Sequence, residues 1–278
     1  MPASHLRPDP EQLGAEWKAL VEAEYEQTER VREWKEQDYY QSMTAHFVDD
    51  PNRDDDERVN LLRSYCSPDV TWLDVGAGGG RNALPLALLS RKVIAIEPSP
   101  AMRAALEQSM RQYDIRNVEV LDLRWPEGAA GIEVDYSLMA HVGYDIREIN
   151  PFLDALERAT RRRCFAAMMD RAPSGGFDEL WPRIHGEERV VLPALRELIH
   201  LLLARGATPE VRIFPRAAEP FTPEHFRQFA RRRLWLAEGS PRDQQLQRFV
   251  DQELARAPEE LHMPHVVGLV SWEAKQAR

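Results

Sequence analysis

Leu13, Trp17, Leu20, Val21 and Tyr25 recur at helical spacing among Glu, Lys and Arg, which predicts a long amphipathic helix over residues 11–46, with Trp34, Tyr39 and Tyr40 in its last turns. A polar turn, DDPNRDDDER at 49–58, is expected to cap a short helix over 57–66. From residue 70 the period changes. VTWLDV (70–75), KVIAIEPS (92–99), NVEVLDL (117–123), VDYSLMAHV (134–142) and RCFAAMMD (163–170) read as short apolar strands, separated by helical patterns at 80–89, 100–112 and 149–160. Later come a helix at 190–205 with Gly206 as its stop, a strand EVRIFP, two helices opened by Thr222-Pro223 and Ser240-Pro241, and a closing strand HVVGLVSW. Strands alternating with helices predict an α/β fold. It is expected to be a doubly wound, mainly parallel seven-stranded sheet with helices on both faces. In this reading residues 1–66 are a helical cover and 67–278 the α/β domain, with helical insertions near 171–205 and 220–260.

Composition narrows the classes. The 278 residues are 43% hydrophobic and 29% charged, as in ordinary soluble domains, and the net charge of −10 disfavours nucleic acid and anionic membrane as partners. The basic runs Arg161–Arg163 and Arg231–Arg233 do not reverse this and read as solvated helix ends. The start, MPASHLRPDPEQ, lacks an apolar signal core, and no apolar run nears the about 18 residues that span a bilayer. Cys66 and Cys164 form no CxxC pair. A reduced cytoplasm is the expected compartment. The pattern says nothing about oligomeric state.

The stretch TWLDVGAGGGRNALPLA (71–87) holds the strongest chemical signal, with Gly76, Gly78 and Gly80 alternating after a strand. No Lys-Ser/Thr pair follows, which removes a P-loop. The sixth position from Gly76 is Arg81 rather than Gly, which disfavours a dinucleotide turn. A purely structural turn stays open, although alternating glycines are costly in backbone entropy. Asp74 to Gly80 reads as DxGxGxG, and Glu97 ends the next strand 17 residues after Gly80. This combination resembles the class I S-adenosylmethionine-dependent methyltransferases over residues 60–170.

The resemblance implies that Asp74, Gly76, Ala77, Gly78 and Gly80 lie against the methionine end of S-adenosylmethionine, and that Glu97 accepts two ribose hydroxyls. It implies further that Pro98 and Met102 border the adenine, that Asp122 and Leu123 meet the adenine ring edge, and that Ala140 lies by the methyl group. S-Adenosylhomocysteine would be the product. The [DNS]PP[YFW] box of enzymes acting on exocyclic base amines is absent from the fourth strand, and neither cysteine follows a proline as in cytosine-C5 enzymes. The expected acceptor is therefore a small molecule, its identity and reacting atom open. His141 is the candidate general base, or else only packs beside the cofactor. Trp34, Tyr39, Tyr40, Tyr144 and Trp181, with Phe177 and His185, are expected to line the acceptor pocket. The histidines show no metal-ligand spacing, so no metal is expected. Two other readings remain: a non-catalytic cofactor-binding scaffold or sensor, and an NAD-dependent oxidoreductase.

Overall fold

The computed structural model describes residues 8–35, 38–41, 43–173, 177–215, 222–254 and 266–275. Residues 36–37 and 42 of the expected first helix, residues 255–265 before the last strand, and His5, His262 and His265 lie outside the described residues.

Thr71–Val75 (β1) is buried along its whole length, as its unbroken apolar run requires of a strand covered on both faces. Lys92–Ile96 (β2) and Val134–Ala140 (β4) flank it in parallel. With Val118–Leu121 (β3), Thr160–Met169 (β5), Glu210–Pro215 (β6) and Val266–Glu273 (β7) they form one seven-stranded sheet in the order β3-β2-β1-β4-β5-β7-β6. The sheet is mixed: β7 runs antiparallel to both β5 and β6, while the other pairings are parallel. An apolar run buried on both faces carries no mark of direction, which is why the reversal of β7 was not legible. The register brings Val75, Ile96, Leu121 and Ala140 to the same sheet edge. Strand order reverses between β1 and β4, where open α/β sheets leave a crevice.

Helices Glu57–Arg63 (α2), Ala83–Ala87 (α3) and Pro100–Gln112 (α4) cover one face, packing Leu62, Leu84 and Leu106 around Trp72. Helices Pro10–Val31 (α1), Ile149–Ala159 (α5) and Leu195–Ala204 (α7) cover the other with Trp17, Phe152, Leu198 and Leu202. Two expectations change here. The first helix ends at Val31 rather than 46. Arg32 turns extended (ψ 133°), its guanidinium sits 4.4 Å above the Trp235 ring, and the Glu33 N–H donates to the Trp235 carbonyl at 2.9 Å. A tertiary contact ends the helix, with no glycine or proline to announce it. The α7 helix is not an insertion but a crossover helix of the main core, because its Leu195, Leu198, Leu201 and Leu202 face the sheet.

The true additions are helices Leu180–His185 (α6), Pro223–Arg233 (α8) and Pro241–Phe249 (α9). They build a separate small core from Phe177, Trp181, Phe226, Leu234 and Leu246, which Val31 joins. The expected caps are present: Thr222 accepts from His225 N–H, Ser240 accepts from Asp243 N–H, and Gly206 takes φ +81° just past α7. Among the described residues, no helix is long and apolar enough to cross a membrane.

Candidate active site

Three of the glycines after β1 have left-handed backbone: φ is +73° at Gly76, +56° at Gly78 and +88° at Gly80. This delays α3 to Ala83 rather than 80. What the turn closely approaches is largely the protein itself. A Cβ on Gly76 would lie 2.4 Å from Val142 Cγ2, one on Gly80 2.4 Å from Leu106 Cδ1, and one on Gly79 2.7 Å from the Phe47 carbonyl oxygen. Gly78 differs. Its nearest neighbour is Phe47 Cβ at 3.9 Å, so space remains above it. The Gly76 and Ala77 N–H groups both donate to the Ile96 carbonyl, at 2.8 and 3.0 Å, which locks the turn to the end of β2.

Glu97 sits at that end, buried at 6% exposure. One carboxylate oxygen accepts from Gly78 N–H and the other from Ser99 N–H, each at 2.8 Å. A carboxylate has about four acceptor positions, so each oxygen keeps one for a ligand hydroxyl. Burial raises its pKa above the ordinary carboxylate range, partly offset by those two N–H groups. Asp74 is fully buried, and both of its oxygens lack a hydrogen-bond partner. Burial first, and the Glu97 charge second, push its pKa up to about 7; the backbone N–H of Ala83 favours the charged form but makes no hydrogen bond by distance and angle.

Beyond Glu97, Ser99 caps α4 by accepting from Met102 N–H at 3.2 Å, and Met102 itself is buried. The Ser99 hydroxyl donates to Asp38 at 2.7 Å, and the Ala101 N–H reaches the same Asp38 oxygen at 3.2 Å. Burial opposes the Asp38 charge, but hydrogen bonds from Ser99, Tyr40 and Ala101 outweigh it and hold the carboxyl below its usual range. Pro98 is exposed. Asp122 follows β3 as a largely exposed side chain paired with Arg103 at 2.7 Å. Arg103 also donates to the Glu97 carbonyl at 2.8 Å, which ties the two strand ends together. Leu123 packs against the main core.

Ala140 ends β4 and is nearly buried. His141 follows with φ +57°, uncommon for a side-chain-bearing residue, held by its N–H to the Ala167 carbonyl at 2.7 Å. Its Nδ1 lies 3.5 Å from the Tyr144 hydroxyl. Tyr144 is buried, and its hydroxyl oxygen accepts the Met169 N–H at 2.7 Å, pinning the loop after β4 to the end of β5. The contact puts His141, Tyr144 and Met169 on the same sheet edge as the glycine turn.

Residues 73–168 match the profile of the family described as "Methyltransferase domain". They run from within β1 to within β5 and include the glycine turn and Glu97. Over that stretch the chain is similar to a methyltransferase domain. Solved structures agree in fold. The YcgJ protein of Bacillus subtilis aligns with TM-score 0.53 and 13% identity over 80% of this chain and 99% of that one. The magnesium protoporphyrin IX methyltransferase of Synechocystis PCC 6803, solved with bound SAH, aligns with TM-score 0.53 and 12% identity over 84% of this chain and 96% of that one. In sequence, the protein named "Probable ribosomal RNA small subunit methyltransferase A" of Methanosphaera stadtmanae is 33% identical over 69 residues. That match covers 24% of this chain, and the chain spans only 26% of the length of this curated relative.

Around the methyltransferase domain, the expected acceptor-pocket residues separate into two groups. Trp34, Tyr39 and Tyr40 gather above the glycine turn with Trp235, which no sequence pattern had singled out. Trp34 lies 5.0 Å from Trp235 between ring centres, Tyr39 5.5 Å from Trp235, and Tyr40 5.6 Å from Phe47. Trp181 belongs elsewhere. It is fully buried in the small core of the additions, against His185 at 4.4 Å and beneath Arg189 at 4.4 Å. Phe177 is buried in the same core. Neither ring lines an open cavity, because the additions need their own apolar interior before they can cover anything. The arginine runs also part company. Arg161, Arg162 and Arg163 open β5 rather than end a helix, pair with Glu133, Asp135 and Glu210, and line a cavity of about 590 Å³ at the sheet edge opposite the glycine turn.

Proposed function

We propose that this methyltransferase domain moves a methyl group from S-adenosylmethionine to a small-molecule acceptor. The observation that carries the reading is the buried Glu97 carboxylate held against Gly78 N–H, with acceptor capacity left on both oxygens and no atom crowding the Gly78 Cβ position closer than Phe47 at 3.9 Å. Those features fit a ligand with vicinal hydroxyls and a body lying over the turn. The SAH-bound solved neighbour supports the cofactor assignment. The net charge of −10 supports a small molecule over nucleic acid.

In this reading the cofactor supplies a methyl group on a sulfonium, an electrophile that needs only an aligned nucleophile. The residues of this chain do the rest. Glu97 orients the ribose. The turn from Gly76 through Ala77 and Gly78 to Gly80 and the adjoining Asp74 shape the methionine end. Met102, Pro98, Leu123 and Asp122 lie on the adenine side. Ala140 and His141 border the point of transfer. If His141 Nδ1–H donates to the Tyr144 oxygen, Nε2 carries the lone pair and can take a proton from a hydroxyl or amine acceptor. Trp34, Tyr39 and Tyr40 shield the transfer from water.

The test is calorimetry of the full chain with S-adenosylmethionine, S-adenosylhomocysteine and NAD, followed by a metabolite screen with methyl-labelled cofactor. Binding of the first two and label transfer to a low-mass product support the reading. Tight NAD binding with no S-adenosylmethionine binding overturns it.

A further inference from the structure

The three arginines that close α8 are held in three different ways. Arg231 is committed to Asp243 at 2.7 Å and Glu238 at 3.3 Å. Arg232 donates to the Tyr39 carbonyl at 2.6 Å and lies over the Trp34 and Tyr39 rings at 4.9 and 5.0 Å. Arg233 makes no hydrogen bond or ion pair among the described residues. Its guanidinium carbon lies 5.9 Å from the Tyr39 ring centre, at the outer limit of a useful cation–π pair. Five N–H donors are left without an acceptor.

A run of contacts places Arg233 over the site. Tyr39 lies 5.3 Å from Tyr40, Tyr40 lies 5.6 Å from Phe47, and Phe47 Cβ lies 3.9 Å from where a Gly78 Cβ would be. Tyr40 feels the charges of Arg233, of Asp145 in the loop after β4, and of Glu97. Arg233 is thus linked to the glycine turn through Tyr39, Tyr40 and Phe47. It also bears on Arg189, whose side chain is 3% exposed and already engages Glu24 and Asp178.

Resting on the methyl-transfer reading, we propose that Arg233 binds an anionic group of the methyl acceptor, so that the substrate is an organic anion with an apolar body lying against Tyr39 and Tyr40. A carboxylate or a phosphate monoester both match the guanidinium fork. The methyl group goes to another atom of the same molecule, whose negative charge therefore survives the reaction.

The experiment uses the full chain, methyl-labelled S-adenosylmethionine and a small-molecule extract, with the labelled product passed over an anion exchanger. The expected product is retained, and phosphatase treatment beforehand tells a phosphate from a carboxylate. Arg233→Ala should raise KM for the acceptor about ten- to hundredfold, as loss of charge-assisted hydrogen bonds does, with cofactor affinity and thermal stability near wild type. Arg233→Lys should recover part of the loss. A neutral labelled product, or an unchanged KM in Arg233→Ala, overturns the proposal. Failure of the wild type to bind S-adenosylmethionine would instead break the reading of the site itself, and calorimetry shows that separately.

Discussion

The glycine turn and the aromatic cover above it face one space but are held by different kinds of contact. The turn is built from backbone groups and one carboxylate at neighbouring strand ends: Gly76 and Ala77 N–H on the Ile96 carbonyl, Gly78 N–H on the Glu97 carboxylate, and Glu97 N–H on the Leu121 carbonyl at 3.1 Å. Sheet register sets these distances, so the geometry hardly depends on distant side chains. The cover is the reverse. Trp34, Tyr39, Trp235 and Arg232 come from segments some two hundred residues apart and meet through rings and guanidinium groups. One wall is rigid and local in sequence; the other is assembled and non-local. The comparison teaches that, under the proposed function, cofactor binding and acceptor choice would rest on separable parts of the chain.

Glu97→Ala should have the largest effect. Two charge-assisted hydrogen bonds are lost, each worth about 1.5–3 kcal/mol, so S-adenosylmethionine affinity should drop by about a hundredfold or more. Titration calorimetry on a variant whose circular dichroism matches the wild type checks it. Affinity unchanged by the substitution would remove Glu97 from the rigid wall.

Asp74→Asn probes the same wall through pH. With its pKa pushed up to about 7, native Asp74 holds a proton that the unfolded chain gives up near pH 4. The native state therefore binds more protons between those values, and wild-type stability should fall as pH rises from about 4 to 7, then level off. Each pH unit of separation is worth about 1.4 kcal/mol at most. Asn is neutral throughout, so urea denaturation should find Asp74→Asn gaining on the wild type across that window and most stable relative to it above pH 7. An identical pH slope in both proteins would mean the carboxylate is solvated.

Asp38→Ala cuts a direct hydrogen-bonded tie between the two walls. Losing an acceptor at the start of α4 typically costs about 1 kcal/mol. Limited proteolysis should show faster cleavage between residues 33 and 48, with the turn itself unaffected. Equal cleavage rates would mean that the ring contacts alone hold the cover. The smallest effect is expected at Asp122, whose pair with Arg103 is mostly exposed. Surface pairs of this kind contribute about 0–1 kcal/mol, so Asp122→Ala should leave stability nearly unchanged and cofactor affinity within about threefold. A larger loss of affinity, read by the same calorimetry, would support the adenine contact that the family resemblance implies.

What could be read in advance follows the same division. β1, the turn and Glu97 lie within residues 71–97, where an apolar run, glycine spacing and an acid at a strand end are all local patterns with a local cause: a strand must pair, and φ above zero favours glycine. The caps at Thr222-Pro223 and Ser240-Pro241 are legible for the same reason. The aromatic residues of 34–40 were visible as residues with something to bury, but not their partner. Asp38 and Ser99 are 61 positions apart, and Arg232 and Tyr39 are 193 apart. No periodicity encodes such pairs.

By itself, then, the sequence determined the alternation of strands and helices, the bend after β1 and the acid at the end of β2, because backbone sterics and burial act over a few residues. Only the tertiary structure decided that β7 runs antiparallel, that α1 stops at Val31, that Trp181 is interior to the additions, and that Arg233 lies beside the Tyr39 ring. Each of these depends on which distant surface a segment meets when the chain packs, and that choice is made by the sum of burial over the whole molecule rather than by any one stretch of it.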